Sequence, residues 1–276
     1  MPSDDLKAAD SHFAFGQNWA SFANLIGQPE IDEAKRGLLT LVPPAELVGR
    51  SFLDIGCGSG LHVLAAAQLG AARLLATDID TVSVETTRAV LTRFAVAVPW
   101  EARTISVFDL DPERDGRFDI VYSWGVLHHT GAMWEAVAKA AAMVAPGGLL
   151  VIALYRQIVL DAFWKVEKRW YSKASPTAQK VAQGVYMSAF RVAMLASGKG
   201  SFAQYVANYR SNRGMDFAHN VHDWLGGYPY ESADPVDVQS HLKPLGFSPR
   251  TVVARGRELG LFGSGCDEFV FKREKR

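Results

Sequence analysis

From Ser51 onward, short apolar runs alternate with stretches whose apolar positions recur every three or four residues. SFLDI reads as a first strand, and LHVLAAAQLG as an alanine-rich helix closed by Gly70. ARLLATD supplies a second strand. TVSVETTRAVLTRF then forms a helix on which Val82, Val84, Val90 and Leu91 only partly share a face. TISVFDL reads as the third strand, and FDIVYSWGVL as a fourth whose near-continuous apolar character suits burial on both faces. AMWEAVAKAAAMV is a helix stopped by the PGG of residues 146–148, and LLVIALY is the fifth strand. Near the end, PVDVQSHLKPLG predicts a last helix, SPRTVVAR a sixth strand and DEFVFKR a seventh. Strict strand–helix alternation predicts an α/β fold, a doubly wound Rossmann-like sheet with helices on both faces.

Two regions exceed what that sheet needs. Residues 12–22, HFAFGQNWASF, are aromatic-rich and predict a helical lid over a cofactor or substrate mouth, with Phe15 and Trp19 as its contacts; a helix merely packed on the sheet edge fits as well. Between the fifth strand and the last helix, a connection this long must fold on itself, so it predicts a helical cap. The expected division is residues 1–50 for the lid, 51–155 for the core, 156–230 for the cap, and 231–276 for the helix and hairpin completing the core.

Composition narrows the class. With 29 Lys+Arg against 29 Asp+Glu and 49% apolar residues, the chain has ample core material and no global charge footprint for nucleic acid. The cap is locally basic, carrying Arg156, Lys165, Lys168, Arg169, Lys173, Lys180, Arg191, Lys199, Arg210 and Arg213 against Asp161, Glu167 and Asp216. A solvated helix face explains this; so does an anionic small-molecule substrate, or peripheral contact with an anionic membrane surface. VYMSAFRVAMLA, residues 185–196, is too short to span a bilayer and reads as a buried core helix. Cys57 and Cys266 are the only cysteines and have no metal-ligand spacing, so no metal is expected and a reducing, cytoplasmic setting is. MPSDDLKAAD lacks the apolar stretch of a signal peptide.

The chemistry concentrates in FLDIGCGSG, residues 52–60. Asp54 ends a strand that opens into Gly56, Gly58 and Gly60, where the backbone can approach a ligand closely and take positive φ. A dinucleotide fingerprint would place its third glycine at Leu61, which argues against NAD. A second acid, Asp78, ends the next strand, and Asp80 reads as the N-cap of the helix that follows.

Together these residues resemble motif I and the ribose acid of class I S-adenosylmethionine (SAM) methyltransferases. The resemblance is strong over about residues 50–155 and extends as pattern over 234–272, where the final strand is expected to be antiparallel. It implies SAM as cofactor. Asp54 and the three glycines would flank the methionine moiety, and Asp78 would accept both ribose hydroxyls. Ile79 and Phe108 would pack on the adenine, and Asp109 would accept from its amino group. Ser123 and Trp124 would line the transfer point and hold the ammonium through backbone carbonyls. Taken singly, each has a plainer reading: a tight turn, a cap, a turn-former or core packing.

His128 and His129, in YSWGVLHHTG, are candidate bases for an acceptor hydroxyl or amine, with His128 slightly favoured and one of the pair in a structural role; Thr130 is a candidate N-cap. HDWLGGYPYE, residues 222–231, predicts a glycine turn projecting Tyr228, Tyr230 and Glu231 toward substrate. With FGQNW and GSGCDEFVF, these segments resemble a bacterial small-molecule methyltransferase subgroup near the ubiquinone and sugar O-methyltransferases. Asp267 departs from that pattern, which has asparagine. The resemblance implies O-methylation of a small acceptor. The alternatives are a SAM-binding partner without turnover and, more weakly, an N-, C- or nucleic-acid methyltransferase, since no Asn-Pro-Pro-Tyr motif follows the fourth strand. Acceptor and oligomeric state stay open.

Overall fold

The computed structural model of the chain describes residues 13, 15–198, 200–213 and 217–275. The acidic opening MPSDDLKAAD, with His12, Ala14, Lys199 and Asp216, lies outside them. In chain order the elements are α1 (Phe15–Ala23), α2 (Gln28–Leu41), α3 (Pro44–Leu47), β1 (Ser51–Ile55), α4 (Leu61–Gln68), β2 (Arg73–Asp78), α5 (Thr81–Arg93), β3 (Trp100–Thr104), β4 (Phe118–Trp124), α6 (Met133–Ala142) and β5 (Val144–Tyr155). There follow α7 (Asp161–Lys173), α8 (Pro176–Ala196), α9 (Phe202–Arg213), α10 (Phe217–Gly226), α11 (Pro235–Leu242), β6 (Phe247–Val253) and β7 (Cys266–Arg273).

The strands form one sheet in the order β3-β2-β1-β4-β5-β7-β6. The first five are parallel, and β7 runs antiparallel between β5 and β6. Alternation along a strand sends neighbouring side chains to opposite faces. Phe52, Leu74 and Ala76 accordingly join one core under α2, α4 and α5, while Leu53, Ile55 and Leu75 join another under α6 and α11. A third cluster, mostly aromatic, lies under the cap helices α7 to α10 and includes Phe13, Trp164, Tyr171, Trp224 and Tyr230.

Four expectations are corrected. The third strand is WEART, residues 100–104, and not TISVFDL; Val107–Asp109 is a 3-10 turn whose Phe108 N–H donates to Ser106 Oγ. As an edge strand, β3 fully buries only Ala102, so no apolar run marks it. The fifth strand begins at Val144 and runs through PGG, which therefore lies within the strand. Residues 222–226 complete α10, so the turn starts only at Gly227. Finally, α8 buries only Met194 and leaves Val185, Val192 and Leu195 exposed, so residues 185–196 are not a buried core helix.

Candidate active site

The carboxyl ends of β1, β2, β4 and β5 form one edge, the position at which open α/β sheets bind ligands. Where β1 opens, the N–H groups of Gly56 and Cys57 both donate to Thr77 O at 2.7 and 3.0 Å, tying the loop to β2. Gly58 and Gly60 both have positive φ, and both are crowded. A Cβ on Gly58 would meet the Trp19 ring at 3.3 Å, and one on Gly60 would meet Thr87 at 3.0 Å. The loop thus follows a path that glycine alone takes without strain, under the indole of α1.

Asp78 is held from both sides. Its Oδ1 accepts from Asp80 N at 2.9 Å and its Oδ2 from Gly58 N at 3.1 Å, which leaves a lone pair on each oxygen. Burial raises its pKa to about 6, against the pull of those two N–H groups. Asp54 is buried beneath the loop; burial and then the Asp78 charge push its carboxyl up to about 8. Asp80 caps α5 through Val82 N, as expected, and its other oxygen accepts from Gly16 N at 3.0 Å, which pins α1 over the site.

Ile79 and Phe108 are half-buried near the ends of β2 and β3, and Asp109 is exposed, its carbonyl accepting from Arg114. Ser123 is fully buried and donates to Ile55 O at 2.9 Å, while the exposed Trp124 donates its indole N–H to Glu268 at 2.7 Å. Thr130 does not cap α6; its hydroxyl donates to Leu127 O, and Ala132 occupies the cap position.

The histidines follow β4 in a short 3-10 turn and are both buried. Their rings differ in what they face. His128 Nδ1 accepts from the Tyr155 backbone N–H at 3.2 Å, so its proton sits on Nε2. His129 Nδ1 faces Pro229 O at 2.8 Å and must donate there, which leaves the lone pair on Nε2. Burial, with the neighbouring His129 and Lys168, lowers the His128 pKa well below the usual imidazole value. Phe15 packs on His129 at 5.2 Å between ring centroids.

The segment after α10 is laced to the same edge. Glu231 N donates to His128 O at 3.0 Å, Ala233 N to Tyr155 O at 2.9 Å, and Phe13 N to Tyr228 O at 3.0 Å. Tyr230 is buried and donates to Asp161 at 2.6 Å; Glu231 accepts from Met133 N at 2.9 Å at the start of α6. Sequence reasoning missed Tyr155, whose ring lies 3.8 Å from that of His128, because it reads simply as the last apolar residue of a strand. Asp267 binds Arg156 within the protein, at 2.8 Å from both Nε and a terminal guanidinium nitrogen, and both side chains are buried. Among the described residues, no group of three or more metal-ligating side chains comes together.

The strand order, the antiparallel seventh strand, the glycine loop and the paired acids are those of class I SAM-dependent methyltransferases. Residues 53–152 match the family described as "Methyltransferase domain", and over those residues the chain is a class I SAM-dependent methyltransferase. A ubiquinone biosynthesis O-methyltransferase of Brucella ovis is 30% identical over 110 residues, 40% of this chain and 43% of that one. A tRNA U34 carboxymethyltransferase of Methylococcus capsulatus is 33% identical over 108 residues, 39% of this chain and 33% of that one. The chain thus spans less than half the length of these curated relatives. Magnesium protoporphyrin IX methyltransferase from Synechocystis, solved with S-adenosylhomocysteine (SAH), shares the fold at a TM-score of 0.53 and 16% identity, over 89% of this chain and 84% of that one.

Proposed function

We propose that the chain binds SAM at the carboxyl edge of the sheet and transfers its methyl group to an oxygen of a small-molecule acceptor. The observation that carries this reading is Asp78, whose two oxygens are oriented by Gly58 and Asp80 and retain lone pairs for a ribose diol. The glycine cradle fits a cofactor without phosphates: close backbone, a buried Asp54, and no basic side chain in residues 52–60. Ile79, Phe108 and Asp109 would receive the adenine, and the carbonyls of Ser123 and Trp124 the ammonium. When bound, SAM supplies an electrophilic methyl group.

The acceptor would lie between α1, the cap and residues 227–231, with Phe15, Trp19, Tyr228, Tyr230 and Glu231 in its walls. Of the two histidines, His129 is the base in this reading, since its Nε2 carries the lone pair while its Nδ1 is fixed by Pro229 O. His128 instead orients Tyr155 and the end of β5. Transfer to oxygen is supported by similarity of the core to an O-methyltransferase. Incubating the protein with methyl-labelled SAM and a small-molecule extract tests the reading. A labelled product whose methyl is on oxygen supports it; SAM binding with no labelled product from any extract would instead favour a binding protein without turnover.

A further inference from the structure

Lys168 is fully buried on the inner face of α7, with none of its surface exposed. Its ammonium stands over the Trp224 ring at 3.6 Å, with the rings of Tyr230, Trp164 and Tyr155 at 5.4, 5.8 and 5.9 Å. Its Nζ has no hydrogen-bond partner. An aromatic box attracts a cation through the ring quadrupoles, but it offers none of the three acceptors that an ammonium can use. Buried donors are ordinarily matched, so an unmatched cationic one calls for an explanation.

The neighbours of this ammonium repeat the deficit. Trp224 Nε1 and His128 Nε2 are also buried without partners, and both are donors: the indole always, and His128 because its Nδ1 accepts from Tyr155 N. Lys168 and the rings of Trp224 and His128 all stand around one side chain, Tyr155, whose ring centroid lies 5.4 Å from that of Trp224 and 3.8 Å from that of His128. Unmatched acceptors exist elsewhere in the protein. Of these, Asp267 Oδ2 belongs to the Arg156 pair, and Glu167 faces the open groove between α7 and α8. The carboxylates nearest in charge to Lys168 are Glu167 and Asp223, and Asp223 already accepts from Asn18 at 2.5 Å. Burial lowers the Lys168 pKa to about 7, outweighing the opposing pull of the Glu167 and Asp223 charges.

We propose that Lys168, with Trp224 Nε1 and His128 Nε2, is the recognition site for an oxyanion carried by the methyl acceptor, a carboxylate or ionised phenol on an aromatic body. This rests on the methyltransferase reading and adds the charge and character of the substrate. Three unmatched donors around one side chain would be satisfied by a ligand rich in acceptor oxygens. The rings of Tyr155, Trp224 and Tyr230 suit a flat apolar body attached to it. The site adjoins His129 through its contact with Tyr155, 5.1 Å between ring centroids, so a bound oxyanion would hold the acceptor beside the base.

The test uses the full chain saturated with SAH and two fluorine-labelled probes observed by NMR, 4-fluorobenzoate and the neutral 4-fluorobenzyl alcohol. Wild type should bind the benzoate, and Lys168→Met should bind it at least about tenfold more weakly, the loss expected for a charge-assisted hydrogen bond. The alcohol should not discriminate between the two proteins. Trp224→Phe, which keeps the ring and removes one donor, should also weaken the benzoate alone. Equal benzoate affinity in wild type and Lys168→Met, or no benzoate binding to SAH-saturated wild type, would overturn the proposal. Absence of SAH binding to wild type would instead overturn the methyltransferase reading, and unchanged SAH affinity in Lys168→Met shows that the variant is folded.

Discussion

Replacing Asp78 by Asn tests the cofactor slot through two readouts at once. The carboxylate presents two oxygens, each already accepting one backbone N–H, so a ribose diol would complete four hydrogen bonds on one group. An amide keeps one acceptor and turns an NH2 toward either Gly58 N or Asp80 N, where it can only repel. A hydrogen bond to a charged group contributes about 1.5–3 kcal/mol, so the lost bond alone should weaken SAH by roughly 10- to 150-fold. The pH profile gives the second readout. Asp78 has a pKa raised to about 6, and only its ionised form can accept from both hydroxyls. The wild-type Kd should therefore be flat above that value and rise about tenfold per pH unit below it, whereas Asp78→Asn should show no such bend. Titration calorimetry with SAH between pH 5 and 8 measures both. A variant with wild-type affinity, or a wild type without the bend, would refute the assignment of Asp78 to the ribose.

Further expectations concern other parts of the site. His129→Gln should lower turnover by about 100-fold or more with SAH affinity intact, while a loss of SAH binding would make the residue structural. Burial lowers the Lys168 pKa from 10.5 toward about 7, so between those values the unfolded chain binds more protons and stability rises with pH. Lys168→Met should therefore be more stable than wild type at or below pH 7, with the advantage fading toward pH 10.5 in denaturant titrations. Asp54 behaves oppositely: its pKa is raised from 3.8 to about 8, so the wild type loses stability as pH rises through that window, and Asp54→Asn should melt higher at pH 8 than wild type. Asp267→Asn leaves the buried Arg156 guanidinium with only the more distant Glu258, at 3.6 Å, and should cost about 3 kcal/mol in urea unfolding.

The sheet was legible where strands are buried on both faces, because β1, β2, β4 and β5 read as apolar runs between helices of clear period. At the edge this signal fails: β3 needs only one apolar face, and the stronger run TISVF beside it turns at Ser106 instead. The glycine loop and its two acids were legible because a strand that turns under Trp19 and Thr87 with positive φ demands glycine at fixed spacing, with the acids at the ends of β1 and β2. Lys168 was not. Counted among the basic residues of the cap, it is buried only because Tyr155, Trp224 and Tyr230 arrive from a strand, another helix and a loop, and no local pattern records that meeting. The hydrogen-bond partners of the two histidines were equally hidden, since they lie on the backbone of Tyr155 and Pro229.

The insertion of β7 between β5 and β6 has a consequence for how the protein is made. As the chain leaves the ribosome, β1 to β5 can assemble early, but β5 keeps one edge bare while α7 to α11 and β6 are synthesised. Strand β6 cannot join the sheet on its own, because its only partner in the sheet is β7, residues 266–273. Until those residues emerge, the nascent chain carries an apolar strand with unpaired backbone groups, the feature most prone to pairing with other chains. A stalled or truncated product ending before Cys266 should accordingly aggregate through β5, even though its whole cofactor slot has already been synthesised.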